Sequence, residues 1–275
     1  MISLFGAGFI GKWFYNTYPQ EVIIQERDNL IPYTNEILFM ISTVDNYHVF
    51  TDAEVDIFTN QILAVRVLEE ARKKFGSNFT FTYVSTWFVY GDGHIPATEN
   101  QPCNPKGFYS ITRLAGEQLV QSYCETFGAN WRILRLGSVL GVGDNKASMK
   151  KNAMQFIISE LVKGKDVEIY REASYRDFID VRDCVRAIHI TMQASHNEIY
   201  NIGNGEYVNV KETLEDVAKS GVRYGKTSCI PVPKFHSQVQ CKAFIMDNSK
   251  LKALGYKRQY SLKDTLKWVI QSHEK

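Results

Sequence analysis

The chain has 275 residues, enough for one large domain, or one and a half, with a sizeable core. Charged residues make up 23%, the apolar set 44%, and the net charge is +2, which is ordinary globular usage and excludes a disordered chain or a strongly basic nucleic-acid binder. No apolar run approaches the roughly 18 residues of a membrane span, and the five cysteines form no C-x-x-C pair, so no metal site, no disulfide framework and a cytoplasmic setting are expected.

The first strand is predicted at Ile2–Phe5, too early for a signal peptide to precede it. It runs into Gly6-x-Gly8-x-x-Gly11, the pattern of a dinucleotide-binding turn. Gly6 permits the tight turn, Gly8 lets backbone amides approach a pyrophosphate, and Gly11 lets the next helix pack close. That helix, predicted from Phe9 to Tyr18 and stopped near Pro19, would offer the amides of Phe9 and Ile10 and a positive dipole end. A second strand is expected over residues 21–25. Glu26 follows it, about twenty residues past Gly6, where a carboxylate meets the adenosine ribose. Glu26 argues for NAD. Arg27 could instead accept the 2′-phosphate of NADP.

A strand is predicted over residues 36–42, ending at Ser42. Asp52 is expected to cap a long helix through Phe75, stopped by Gly76, with Ile57, Ile62, Val65, Leu68 and Ala71 on one stripe. Phe58, Leu63 and Val67 suggest a second buried face. Next come a strand over 79–85, a Pro-rich loop, a helix from Tyr109 to Phe127 stopped by Gly128, and a strand over 131–136. Beyond Gly141 shorter elements are expected: helices over 154–163, 180–194, 210–219 and 262–271, and a strand over 199–202. The pattern predicts an α/β fold with a Rossmann-type, doubly wound parallel sheet over residues 1–141. Residues 142–275 would form mostly a smaller, discontinuous α/β lobe, with some segments returning to the first domain. Substrate would bind in the cleft between them.

Several segments carry a resemblance. They are Ser85-Thr86-Trp87-Phe88-Val89-Tyr90-Gly91, Thr98-Glu99, Tyr109 through Glu117, Arg135 through Gly141, Arg176 through Asp183, Tyr200-Asn201-Ile202-Gly203 and Asp247 through Leu251. In this order they resemble the extended short-chain dehydrogenase/reductases, the NAD-dependent epimerase/dehydratase group that acts on nucleotide sugars. The resemblance implies that Tyr109 is the proton acceptor, that Thr86 donates to the same substrate oxygen, and that the cation one helical turn on stabilises the phenolate. It makes Arg176 the contact for a substrate diphosphate, with Trp87 and Ser138 beside it. It also implies a homodimer built from the long helix and the Tyr109 helix.

The sequence departs from the family at four places. Arg113 stands where family members carry Lys. It keeps the charge near Tyr109 and the nicotinamide ribose, but it is planar and never deprotonates. The glycine loop is one residue shorter, with Phe5 at an expected Gly. Trp87 and Phe88 replace the Asp-Glu of sugar 4,6-dehydratases, and neither can move a proton, which disfavours dehydration. Ser138 replaces an Asn. The resemblance therefore implies an epimerase that oxidises a sugar hydroxyl transiently. The alternatives are an NADPH-dependent reductase of a 4-keto nucleotide sugar and a non-catalytic dinucleotide-binding sensor. Asp180 and Asp183 read as helix-capping residues. The expected partner is a nucleotide sugar, with neither nucleic acid nor membrane.

Overall fold

The computed structural model describes residues 1–44 and 46–274. Six strands form one parallel sheet: β1 (Ile2–Phe5), β2 (Val22–Ile24), β3 (Glu36–Phe39), β4 (Thr80–Thr86), β5 (Asn130–Leu136) and β6 (Glu198–Ile202). Their order across the sheet is β2-β1-β3-β4-β5-β6. The chain leaves β1 toward one edge and returns over it to β3, so the strand order reverses beside β1. At such a reversal the carboxyl ends of the strands open a crevice, and the Gly6–Gly11 turn lies there. The return path, residues 25–35, contains no helix. Ser3 pins it instead, its Oγ accepting from Thr34 N at 2.8 Å.

Helices cover both faces. On one, Phe14 of α1 (Phe9–Thr17) and Val185 and Ile188 of α6 (Val181–Met192, numbered after the helices given below) pack on Leu4, Leu134 and Ile202. On the other, a helical run over residues 54–75 and α4 (Phe108–Phe127) bury Val67, Leu68, Val120 and Cys124 against Phe39, Phe81 and Ile133. The sheet is doubly wound.

The run over 54–75 differs from the sequence expectation. It comprises α2 (Glu54–Ile57), a π-helical turn at Phe58–Ile62 and α3 (Leu63–Phe75). The N-cap is Ala53 and not Asp52, with no side-chain cap bond, although Asp52 accepts from Glu54 N at 3.1 Å; Gly76 ends the helix as expected. The π-turn holds one extra residue per turn and rotates everything before it. Ile57 is therefore exposed, and Ile62, opposite Ala71 on a 3.6-residue period, is exposed without it, while Asp56, Asn60, Ala64, Val67, Leu68 and Ala71 are buried. Val67 belongs to the core stripe and not to a second face.

A smaller lobe packs α5 (Ala153–Val162), α7 (Val210–Ser220) and α10 (Leu262–His273) around Ile158, Leu161, Leu214 and Val269. Between α7 and α10 come α8 (Lys234–Val239) and α9 (Ser249–Ala253). Short ladders brace this lobe. Val167–Tyr170 pairs with Thr227–Ile230, Tyr175–Arg176 with Val208–Asn209, and Ser138–Leu140 with Phe178–Asp180. α6 and β6 return to the main sheet, and Asp180 caps α6 by accepting from Arg182 N at 2.8 Å. No helix among the described residues is long and apolar enough to cross a membrane.

Candidate active site

The glycine turn separates into three roles. Gly6 has φ +99°, and a Cβ there would fall 2.8 Å from Ile41 N. A Cβ at Gly11 would fall 2.2 Å from Gly6 O, so the helix lies too close to the strand end for any side chain. At Gly8 a Cβ would meet nothing within 4 Å, so the protein itself leaves that space open. Gly8 is the N-cap of α1, whose first turn, including Phe9 and Ile10, has no side-chain cap and no acidic residue. Open space before uncapped amides fits a pyrophosphate. Glu26 and Arg27 are both exposed just past β2.

Ser42 follows β3. Its Oγ donates to Thr43 O and, at 3.4 Å, to Asn60 Oδ1, so this hydroxyl is turned toward protein. Asn60, fully buried on the π-turn, also donates to Thr43 Oγ1 at 2.8 Å and Thr112 Oγ1 at 3.1 Å. Arg113 joins the same network. Its fork donates to Val84 O and to Asn60 Oδ1 at 3.4 Å, and the guanidinium lies 4.3 Å over the Tyr83 ring. It is 1% exposed. The sequence expectation placed this cation beside the Tyr109 phenol and the nicotinamide ribose. The structure keeps the charge one turn from Tyr109 on α4 but lays it under β4, because the longer side chain reaches a strand carbonyl and an aromatic face.

Thr86 ends β4, and its Oγ1 accepts from Phe88 N at 3.4 Å. Tyr109, in the first turn of α4, meets the Phe88 ring edge-on at 6.2 Å. Phe88 in turn lines a cavity of about 210 Å³ between the two lobes. Trp87, Ser138 and Arg176 line the same cavity, so three expected substrate contacts come together there. Thr86 and Tyr109 are buried beside it rather than in its wall. Trp87 is stacked between Phe88 at 3.9 Å and Phe244 at 4.5 Å, with the Arg176 guanidinium 5.1 Å from its centroid.

Arg176 is the electrostatic feature of this cavity. It donates to Tyr175 O at 2.8 Å, and to Lys242 O and Gln240 Oε1 at 3.4 Å. Burial pushes its pKa down to about 10. Pairing with Asp177 or Asp180 does not occur. Asp177 accepts from Asn204 N, Gly205 N and Met246 N, while Asp180 holds Arg182 and Thr265. No carboxylate pairs with Arg176 among the described residues. A buried cation without a counter-charge is costly unless an anion arrives. No group of His, Cys, Asp and Glu among the described residues is arranged to hold a metal ion.

Sequence reasoning missed His236 and Gln240 of the cavity wall, which carry no motif, and Asn60, whose polarity hid its place on a buried stripe.

Comparison with known proteins gives one consistent result. Residues 34–203 match the model of the NAD dependent epimerase/dehydratase family. The chain is 27% identical over 213 residues to a putative UDP-glucose 4-epimerase of Methanocaldococcus jannaschii, covering 77% of this chain and 68% of that one. It is 30% identical over 222 residues to a dTDP-glucose 4,6-dehydratase of Haemophilus influenzae, covering 74% and 63%. In fold it is similar to the Thermus thermophilus UDP-glucose 4-epimerase solved with NAD, at a TM-score of 0.87, 20% identity and 99% coverage of both chains.

Proposed function

The chain belongs to the NAD-dependent epimerase/dehydratase family, and from that membership we propose that it is an NAD(P)-dependent nucleotide-sugar epimerase. The observation that carries the substrate class is Arg176, a buried guanidinium lining the cavity with no carboxylate partner among the described residues. Its fork suits the bidentate geometry of a diphosphate. The open space at Gly8 before the uncapped start of α1 fits the cofactor pyrophosphate. Glu26 favours NAD.

NAD(P), held at Gly8 and the start of α1, would supply a reversible hydride acceptor for a sugar carbon. Tyr109 takes the hydroxyl proton at its phenol oxygen and gives it back after the keto sugar has turned its other face. Thr86 orients the same sugar oxygen. Arg113 lies one turn along α4, where its fork on Val84 O and Asn60 Oδ1 ties the Tyr109 helix to β4. Trp87 and Phe88 hold no transferable proton, so dehydration is not the chemistry proposed.

A reductase using NADPH is the second reading, favoured by the exposed Arg27 beside Glu26. A cofactor-binding sensor is the third, favoured by the inward anchoring of Arg113. We also propose a two-fold homodimer, supported by Ile57, Phe58, Ile62, Ile111 and Leu119, apolar side chains exposed on the 54–62 segment and on α4. A cytoplasmic setting is supported by five cysteines that all stand as free thiols. Denaturing the purified protein and identifying the released nucleotide, followed by assay on a panel of nucleotide sugars, tests the assignment. Retained NAD with interconversion of epimers supports it. Net consumption of NADPH on a keto sugar replaces it with the reductase, and a bound cofactor without turnover replaces it with the sensor.

A further inference from the structure

His236 on α8 lines the cavity, yet its Nδ1 is buried with no hydrogen-bond partner among the described residues. Burying such a nitrogen unpaired costs about 1–3 kcal/mol. Native proteins keep few groups of this kind, and each calls for an explanation. The ring is held in place by Tyr170, whose centroid lies 4.6 Å away. Gln240, one helical turn further on, accepts from Arg176 at 3.4 Å. His236, Gln240 and Arg176 therefore face one part of the cavity.

The chemistry around the orphan nitrogen selects its partner. Burial, with the Arg176 cation second, pushes the imidazole down to about 4, so at neutral pH the ring is uncharged and one nitrogen carries a hydrogen. Arg176, Lys150 and Lys211 line the cavity against Glu168 and Glu172, three cations to two carboxylates among the described residues. Every N–H of Arg176 is a donor, so Arg176 cannot satisfy a neighbouring N–H. The partner that takes both is an acceptor with several oxygens and negative charge.

We propose that His236 is a second ligand of the substrate's phosphate, donating from Nδ1 to an oxygen of the diphosphate that Arg176 binds. The proposal rests on the nucleotide-sugar reading above. It assigns the anion end of the cavity to a strand and a short helix acting together, and it gives α8 a role in substrate recognition.

Two variants test it by calorimetry with UDP, dTDP and GDP. His236→Phe keeps a ring against Tyr170 and removes the nitrogen. His236→Asn places an amide nitrogen close to the Nδ1 position. The expected result is that Phe weakens nucleoside diphosphate binding about tenfold and that Asn recovers most of the loss. NAD affinity should stay at its wild-type value in both, and His236→Phe, which removes the unpaired nitrogen, should melt no lower than wild type. Unchanged affinity in His236→Phe overturns the proposal. Equal losses in Phe and Asn also overturn it, since they would reflect packing and not the nitrogen. If wild type binds none of UDP, dTDP and GDP at millimolar concentration, the nucleotide-sugar reading itself fails and this inference goes with it.

Discussion

The carbonyl oxygen of Gly6 occupies the place where a Gly11 side chain would begin, 2.2 Å from an ideal Cβ, while two residues from Gly6 the Gly8 position faces open space. One motif thus holds a glycine that packing requires and a glycine that packing does not, and mutation separates them. Gly11→Ala should destabilise the protein by about 1–3 kcal/mol, because backbone must shift to admit the methyl group. Gly8→Val should leave the thermal midpoint near wild type and weaken NAD(P) binding at least about tenfold. A folded Gly8→Val protein with unchanged cofactor affinity would remove this turn from the site.

Tyr109 and Arg113 invite a paired test. Tyr109→Phe should lower turnover by about 10² or more with little change in cofactor binding, as expected when a general base is lost. Arg113→Lys keeps the charge but cannot hold Val84 O and Asn60 Oδ1 with one fork. Stability should fall by about 1–3 kcal/mol while turnover is kept or raised. A Lys variant as stable as wild type but far slower would show that the guanidinium itself takes part in the reaction.

The exposed apolar residues on the helical pair predict self-association. Ile57, Phe58 and Ile62 are 38–41% exposed, and Ile111 and Leu119 are 49% and 43% exposed. Phe58→Glu or Leu119→Glu would place an unpaired carboxylate in an apolar interface. Light scattering should give a dimer for wild type and a monomer for either variant, with unchanged circular dichroism. A wild-type monomer at micromolar concentration would contradict the dimer.

Asp177 predicts a pH dependence. It is 1% exposed, and burial pushes its carboxyl up to about 6 against the pull of amides from Gly205, Asn204 and Met246. The folded protein then holds a proton that the unfolded chain has lost between pH 3.8 and about 6. Stability from this residue is present below 3.8 and is lost as pH rises through 6, a change of about 3 kcal/mol. His236, pushed down to about 4 from 6.5, acts in the opposite sense, losing stability as pH falls from 6.5 through 4. The difference between wild type and Asp177→Asn therefore isolates Asp177. Asn also leaves an amide N–H₂ facing backbone donors, so the variant should be less stable throughout. Its disadvantage should shrink as pH rises from 4 to 6 in urea titrations. A constant gap across that range would contradict the raised carboxyl.

What the sequence revealed was what local chemistry decides. The Gly6–Gly11 turn, the Asp180 cap and the Gly76 and Gly128 stops depend on neighbours in the chain, and each lies where it was expected. The buried stripe of the 54–75 run differs from the expectation at Ile57, which the π-turn rotates outward, and at Ile62, which lies opposite Ala71 on a 3.6-residue period. The ladders at Tyr175–Arg176 and Val208–Asn209 are two residues each and exist only through tertiary pairing. The direction of the Arg113 side chain depended on Asn60 and Tyr83, distant in sequence. His236 gave no signal, since its significance lies in a hydrogen bond that the protein does not make.

Trp13 of α1 packs edge-on against Trp268 of α10 at 5.5 Å, and its Nε1 donates to Val142 O at 2.8 Å. A helix early in the described residues is thus completed by one late in them. Translation proceeds from the amino end, so α1 emerges from the ribosome long before its indole partner. Until residues near 268 are released, the Trp13 ring has only part of its packing. Contacts that span so much of the sequence fold slowly and leave apolar surface open meanwhile. A ribosome stalled before α10 would therefore display α1 with its Trp13 face unsealed.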